Sequence, residues 1–275
     1  MSLTAVKAIF LEEKENMTNQ NPCEAKADFE KWAKGFSGCS GGNIKGDYWI
    51  CGIEWAGSLN ESDLKFNDVT SPSAWKDDQK YRKWQLKSRY NQNALKLYAA
   101  MLDKTVTDYR QIGLASNGPF TRKSNTFKMN LYPISFRKDL KKLWTTWLPN
   151  KTGLPTKACY QKWCRDNRFP VIRGWVEEHS PKVIIGTSRD YMDDFVLAFG
   201  GKNAFQENIR KIKEQGEDIG AGRKLNWLEL DGKSKGNRTL LVVTPFLGAQ
   251  QGLNSNQLLQ ATGAKIAQRQ KTLMI

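Results

Sequence analysis

Three polar side chains stand where chemistry is easiest to place. Glu54 ends the apolar run YWICGIE, Asn130 ends TFKMN and Thr244 ends RTLLVVT. Each run has the β-branched and aromatic composition of a strand, so each polar residue falls at a strand tip. A carboxylate there can stabilise developing positive charge or orient a water. An amide can donate and accept at the edge of a heterocycle, and a hydroxyl can donate. Glu54 also admits a plainer reading, as a turn residue that faces water after a strand.

Other reactive groups are scattered. Cys23, Cys39, Cys51, Cys159 and Cys164 include no C-x-x-C pair. Four of them, without the strand residue Cys51, form a formal ligand set for a metal or an iron–sulfur cluster, and stapling disulfides are not expected in a chain with no secretion signal. Asp190, Asp193 and Asp194 in RDYMDD resemble metal ligands by type, but they open a predicted helix, where acids favour the dipole. The one histidine, His179, precedes a strand and so belongs to the opposite end of the sheet. The glycines of SGCSGGNIKGD come before a strand and lack G-K-[ST], so they read as a flexible loop and not as a phosphate cradle.

The elements that must position these residues alternate. A polar, mobile lead-in is expected over 1–22, then an amphipathic helix in EAKADFEKWAKGF and a strand over 48–53. A long helical pattern covers 74–104, and its Trp and Tyr residues read as core. NTFKMNLYP is a second strand, followed by a basic, aromatic-rich insertion around 134–170 and a helical stretch that Pro170 interrupts. PKVIIG is wholly apolar, the pattern of a strand buried on both faces. Helices over 188–199 and 204–214, strands in KLNWLEL and RTLLVVTP, and a closing helix in SNQLLQATGAKIAQRQ complete a single α/β domain over 23–275. This alternation predicts a three-layer, doubly wound, mainly parallel sheet with helices on both faces, in which ligands sit at the carboxyl ends of the strands.

Composition narrows the partner. With 39% hydrophobic and 26% charged residues, the chain of 275 is neither disordered nor membrane-like. Its 43 Lys+Arg against 28 Asp+Glu leave a charge of +15, which favours nucleic acid. Over 122–142, Arg122, Lys123, Lys128, Arg137, Lys138, Lys141 and Lys142 oppose Asp139, with Phe136, Trp144 and Trp147 close by, a mixture suited to phosphate contact and base stacking. No apolar stretch reaches the length of a bilayer, and no signal peptide is visible, so a cytoplasmic monomer without a membrane partner is expected.

Taken in order, GIEWAG, FKMNLYP and LLVVTPFLGAQQGL resemble motifs of the uracil-DNA glycosylase superfamily, and PKVIIG suits the strand between the second and third. As a topology the resemblance runs from residue 48 to the C-terminus; only the short motifs are specific. It implies DNA as partner and no cofactor or metal. Glu54 then corresponds to the acid that activates water or stabilises charge, Asn130 to the amide that reads the pyrimidine edge, and Thr244 falls near the family's histidine. Phe246 and Leu247 fall near the residue that pushes into the duplex, with Gln250 in the same DNA-facing loop. Phe66 stands at about the distance of the phenylalanine that stacks on the flipped base. Trp55 occupies a position where proline is common, Ala56 lies near a pocket-narrowing tyrosine, and Tyr132 follows the base-reading amide.

The implied reaction is hydrolysis of an N-glycosidic bond, which builds positive charge on the sugar and negative charge on the departing base. A carboxylate beneath the sugar stabilises the first, donors around the base stabilise the second, and the target must leave the stack beforehand. The chain departs from the family at the histidine, so leaving-group stabilisation falls to Asn130, Thr244, backbone amides or a nearby lysine. Ala56 would leave room at the pyrimidine 5-position. The expected base is therefore uracil or a bulky 5-substituted pyrimidine, and excision from modified phage DNA is a fitting role. The rival expectation is a non-catalytic nucleic-acid-binding or base-sensing regulator on the same scaffold. A third is a Mg²⁺-dependent phosphoesterase built from the scattered acids.

Overall fold

Among the described residues, seven strands form one mixed sheet. In chain order they are β1 (Gly41–Gly42), β2 (Tyr48–Gly52), β3 (Thr126–Asn130), β4 (Val183–Thr187), β5 (Glu217–Gly220), β6 (Arg223–Asp231) and β7 (Arg238–Thr244). Their spatial order is β1-β3-β2-β4-β7-β6-β5. The strands β3, β2, β4 and β7 run parallel, whereas β1, β5 and β6 pair antiparallel at the two edges. The computed structural model describes residues 23–54, 60–67, 69–136, 144, 147–232, 238–248 and 250–273. The expected lead-in over 1–22 lies outside these residues.

The helices among the described residues are α1 (Ala27–Lys34), α2 (Gln79–Gln85), α3 (Arg89–Met101), α4 (Tyr109–Leu114), α5 (Trp147–Thr152), α6 (Lys157–Trp163), α7 (Phe169–His179), α8 (Met192–Glu214) and α9 (Asn256–Leu273). They divide between the two faces of the sheet. On one face, Phe29 of α1, Tyr160 of α6, Ile172 of α7 and Phe195 of α8 cover Trp49, Cys51, Phe127, Met129 and Val243. On the other, Leu95 and Leu97 of α3 with Leu259 and Ile266 of α9 cover Ile50, Ile185, Leu240 and Val242. Successive residues of one central strand thus enter different cores, which is why these strands read as continuous apolar runs. The α/β class and the mostly parallel sheet between two helical layers follow from that pattern. No described helix is long and apolar enough to cross a membrane.

Three local expectations change. The pattern over 74–104 is two helices, because Asp78 caps α2 by accepting from the Tyr81 amide (2.6 Å) and Ser88 caps α3 after a turn. The loop expected over 37–47 contributes the edge strand β1, whose glycines pair with Lys128 and Phe127. By contrast, the two helical segments expected over 188–199 and 204–214 are kept: they lie on either side of Gly201, whose φ of 80° is non-helical and kinks α8. Finally, Cys23 and Cys159 form a disulfide: folding brings the chain before α1 beside α6 with a Cα separation of 5.0 Å, within bridging range. The remaining three cysteines are buried and unbridged, and burial pushes the Cys39 thiol up to about 12. With Cys23 and Cys159 bonded to each other, the four-cysteine ligand set is dismantled.

Candidate functional site

The connections place a topological switch point, the crevice position of open α/β sheets, beside β2. The helices that follow β2, α2 and α3, lie on one face, whereas α8, which follows β4, lies on the other. Neighbouring parallel strands whose exits diverge in this way form the switch point at which open α/β sheets bind ligands.

Glu54 lies at that point. Strict alternation would carry its side chain to the α3 face with Ile50 and Gly52, but a bend at Ile53 and Glu54 turns it the other way. There the Lys157 ammonium meets it, with Nζ 3.0 Å from Oε1 and 3.2 Å from Oε2. The side chains are only 1% and 6% exposed for Lys157 and Glu54, so both charges are desolvated and each depends on the other. Lys157 also lies 4.2 Å from the ring centroid of Phe136. It occupies the first turn of α6, which Thr156 caps through the Cys159 amide (3.1 Å), and a cation there opposes the helix dipole. The Glu54 carboxylate compensates for that opposition.

Asn130 faces Gly52 across the β2–β3 register. Its amide Oδ1 crosses the end of β2 so closely that a Cβ on Gly52 would stand 2.4 Å from it, so only glycine fits there. The Asn130 backbone is anchored by Arg168, a fully buried guanidinium that donates to the carbonyls of Leu131 (2.7 Å), Ser37 (2.6 Å), Asn130 (3.4 Å) and Ala33. A π-helical stretch over Cys164–Arg168, directly before α7 with Pro170 in its first turn, delivers this side chain. On the other side of Gly52, Thr187 donates to the Cys51 carbonyl (3.0 Å), and Tyr90 donates to Thr187 (3.1 Å). Burial pushes the Tyr90 phenol above its usual range, which keeps it a donor.

The other candidates are placed as follows. Thr244 stands opposite Thr187 at the tip of β7, fully buried, and its hydroxyl is directed to the carbonyls of Gly186 (3.4 Å) and Pro245 (3.1 Å). Phe246 is 42% exposed and lies 5.9 Å from the Tyr90 ring, whereas Leu247 is buried in the α3–α9 core. Gln250 is exposed in the same loop. Tyr132 is buried and donates to Asp194 (2.7 Å), and Phe66 packs in a cluster with Phe29 and Trp32. Trp55, Ala56, Lys138, Lys141 and Lys142 lie outside the described residues. Of the basic stretch around them, Lys128 is not a surface group: it is buried, bonded to Asn91 Oδ1 (2.9 Å) and near the rings of Trp75 and Phe120.

A polar cleft of about 410 Å³ adjoins Lys157 and is lined by Arg165, Arg189, Asp190, Asp194 and Lys213 among others. Much of its charge is internally paired, Arg165 with Asp194 (2.6 Å) and Lys213 with Asp193 (2.7 Å). Asp193 and Asp194 of RDYMDD therefore serve ion pairs as well as the start of α8. Among the described residues, no three His, Cys, Asp or Glu side chains converge as a metal site.

Sequence reasoning missed Lys157, Arg168 and Tyr90, and it took Gly52 only as the first glycine of GIEWAG. Lys157 carried one signal, a cation directly after the N-cap threonine. Arg168 carried none, because the π-helical register that buries it is not encoded by a recognisable pattern. Comparisons with models of protein families, with curated proteins and with solved structures find no match to this chain.

Proposed function

We propose that the protein is a DNA glycosylase that flips a modified pyrimidine out of the stack and hydrolyses its bond to deoxyribose, leaving an abasic site. The observation that carries this reading is the Glu54 carboxylate, held by Lys157 at the switch point with the Asn130 amide at the adjoining strand tip. A carboxylate with one fixed orientation stabilises an oxocarbenium-like sugar without reorganising as charge develops. Asn130 supplies the group that reads the base and stabilises its departing charge. Phe246 is the exposed apolar side chain at the same ends of the strands and serves as the wedge. The order of the three strand-tip motifs, similar to that of the uracil-DNA glycosylase superfamily, supports the assignment, as does the charge of +15. The small side chain of Ala56 favours uracil or a bulky 5-substituted pyrimidine as the excised base.

A second reading, a base-sensing DNA binder without catalysis, is favoured by Thr244. It stands near the position of the family's histidine, but its hydroxyl is buried against two carbonyls and presents no imidazole-like donor to a leaving group.

The test incubates the protein in EDTA with DNA carrying uracil, 5-hydroxymethylcytosine, its glucosylated form or cytosine, and scores alkali-labile sites. Glu54→Gln, which keeps the side-chain shape, is the control, with circular dichroism verifying that it folds. Sites made by the unsubstituted protein and lost in Glu54→Gln are expected. DNA binding without sites on any substrate would replace the first reading with the second.

A further inference from the structure

The helix α2 carries its polar face in an unusual composition. Arg82 in the helix and Leu86 at its C-cap are buried; Arg82 donates to the Leu114 carbonyl (3.0 Å) and pairs with Asp77. Positions 80, 83 and 84 follow the i, i+3, i+4 spacing of one helical face and hold Lys80, Lys83 and Trp84, and Lys87 follows in the turn after the helix; all four are exposed. Trp84 is 60% exposed, although sequence reasoning placed the aromatic residues of this segment in the core. Arg89, also exposed, extends the cationic stripe into the start of α3. None of these four cations has a carboxylate within ion-pair distance among the described residues.

This stripe leads to the crevice. Arg89 lies against the backbone of Gly248, where an added Cβ would stand 3.5 Å from its Cγ and Cδ. The next residue, Tyr90, lies beside Phe246 with ring centroids 5.9 Å apart. An exposed tryptophan bordered by lysines does not have the composition of a protein-docking core, where lysine is depleted. Unpaired cations in a row beside an aromatic face suit a strand of nucleic acid, with ammonium and guanidinium groups on the phosphates and the indole stacked on a base.

We propose that Lys80, Lys83, Lys87 and Arg89, with Trp84 as a stacking platform, form a nucleic-acid strand-binding surface that leads to Phe246 and the crevice beside β2. This rests on the reading that nucleic acid is the partner, and it deepens that reading by assigning where the strand lies.

The experiment measures binding alone, so that it is independent of base release. Fluorescence anisotropy with labelled single-stranded and duplex oligonucleotides over a salt series would compare the intact protein with Trp84→Ala and with Lys80→Gln/Lys83→Gln/Lys87→Gln. A charge-matched control, Lys202→Gln/Lys211→Gln/Lys224→Gln, removes three other exposed lysines. Trp84→Ala should weaken binding about tenfold with an unchanged salt slope. The α2 triple variant should flatten the slope of log K against log salt by about 2, and the control by much less. Equal slopes for the two triple variants, or full affinity in Trp84→Ala, would overturn the proposal even where base excision is found. Absence of binding by the intact protein would overturn it together with its premise. Binding through this surface without abasic sites would defeat only the catalytic reading.

Discussion

Lys157 and Lys128 are both buried beside aromatic rings, one on each face of the same sheet, and they are accommodated differently. Lys157 has a carboxylate, Glu54, at 3.0 Å. Lys128 has only the neutral Oδ1 of Asn91 at 2.9 Å, with Trp75 and Phe120 about it. Burial consequently drives the Lys128 ammonium down to about 8. The contrast separates two uses of a buried cation. One holds the Glu54 carboxylate in place at a strand tip; the other anchors the start of α3 beneath the sheet. Arg168 is a third solution, since its charge is distributed over backbone carbonyls.

The largest expected effect breaks the first pair. Glu54→Ala leaves the Lys157 charge buried without that carboxylate and should destabilise the protein by about 3–5 kcal/mol in urea unfolding. Adding Lys157→Met should recover much of the loss; equal stability of the single and double variants would mean that the two charges are not coupled. Arg168→Met strands several buried carbonyls and should cost about 3 kcal/mol, with Arg168→Lys restoring only part because an ammonium lacks the planar fork.

Lys128 gives the comparison a pH signature. Its folded value near 8 lies below the ordinary 10.5, so between these limits the unfolded chain binds the proton that the folded chain has released. Stability should therefore rise with pH across that window, by up to about 3 kcal/mol, because the burial cost is complete below it and relieved above it. Lys128→Met should lack this rise when the two proteins are unfolded at pH 7 and pH 10; parallel pH profiles would remove the assignment. Gly52→Ala forces a methyl against Asn130 and should cost about 1–3 kcal/mol while displacing the amide, which on the proposed reading is measurable as weakened binding of DNA carrying the target base. Phe246→Ala is the smallest change in stability, within about 0.5 kcal/mol, because the ring is exposed. Under the proposed glycosylase reading, its effect should be confined to DNA affinity and base release.

The strand tips were legible because a run that is apolar on both faces ends abruptly where the sheet ends, and Glu54, Asn130 and Thr244 stand at those ends. Their separate fates were not legible. Thr244 and Asn130 have equivalent positions in the pattern, yet one hydroxyl turns into the sheet and the other side chain crosses a glycine. In the same way, Phe246 and Leu247 are adjacent and similarly apolar, and only the turn after β7 decides that the first faces out and the second enters the core. Trp84 was misread because aromatic periodicity does not tell which side of a short helix meets the protein; the buried Arg82 and Leu86 decide that.

By itself the sequence determined the α/β class, the order of the parallel strands along the chain, and the basic charge. These follow from local periodicity and composition, which need no knowledge of distant neighbours. Only the tertiary structure decided that Glu54 meets Lys157, 103 residues away, that Arg168 carries the Asn130 backbone, and that Cys23 reaches Cys159 across 136 residues. The physical reason is that a side chain's partner depends on which helix the crossover lays over which strand. A bend of two residues after β2 was enough to move Glu54 from one face of the sheet to the other.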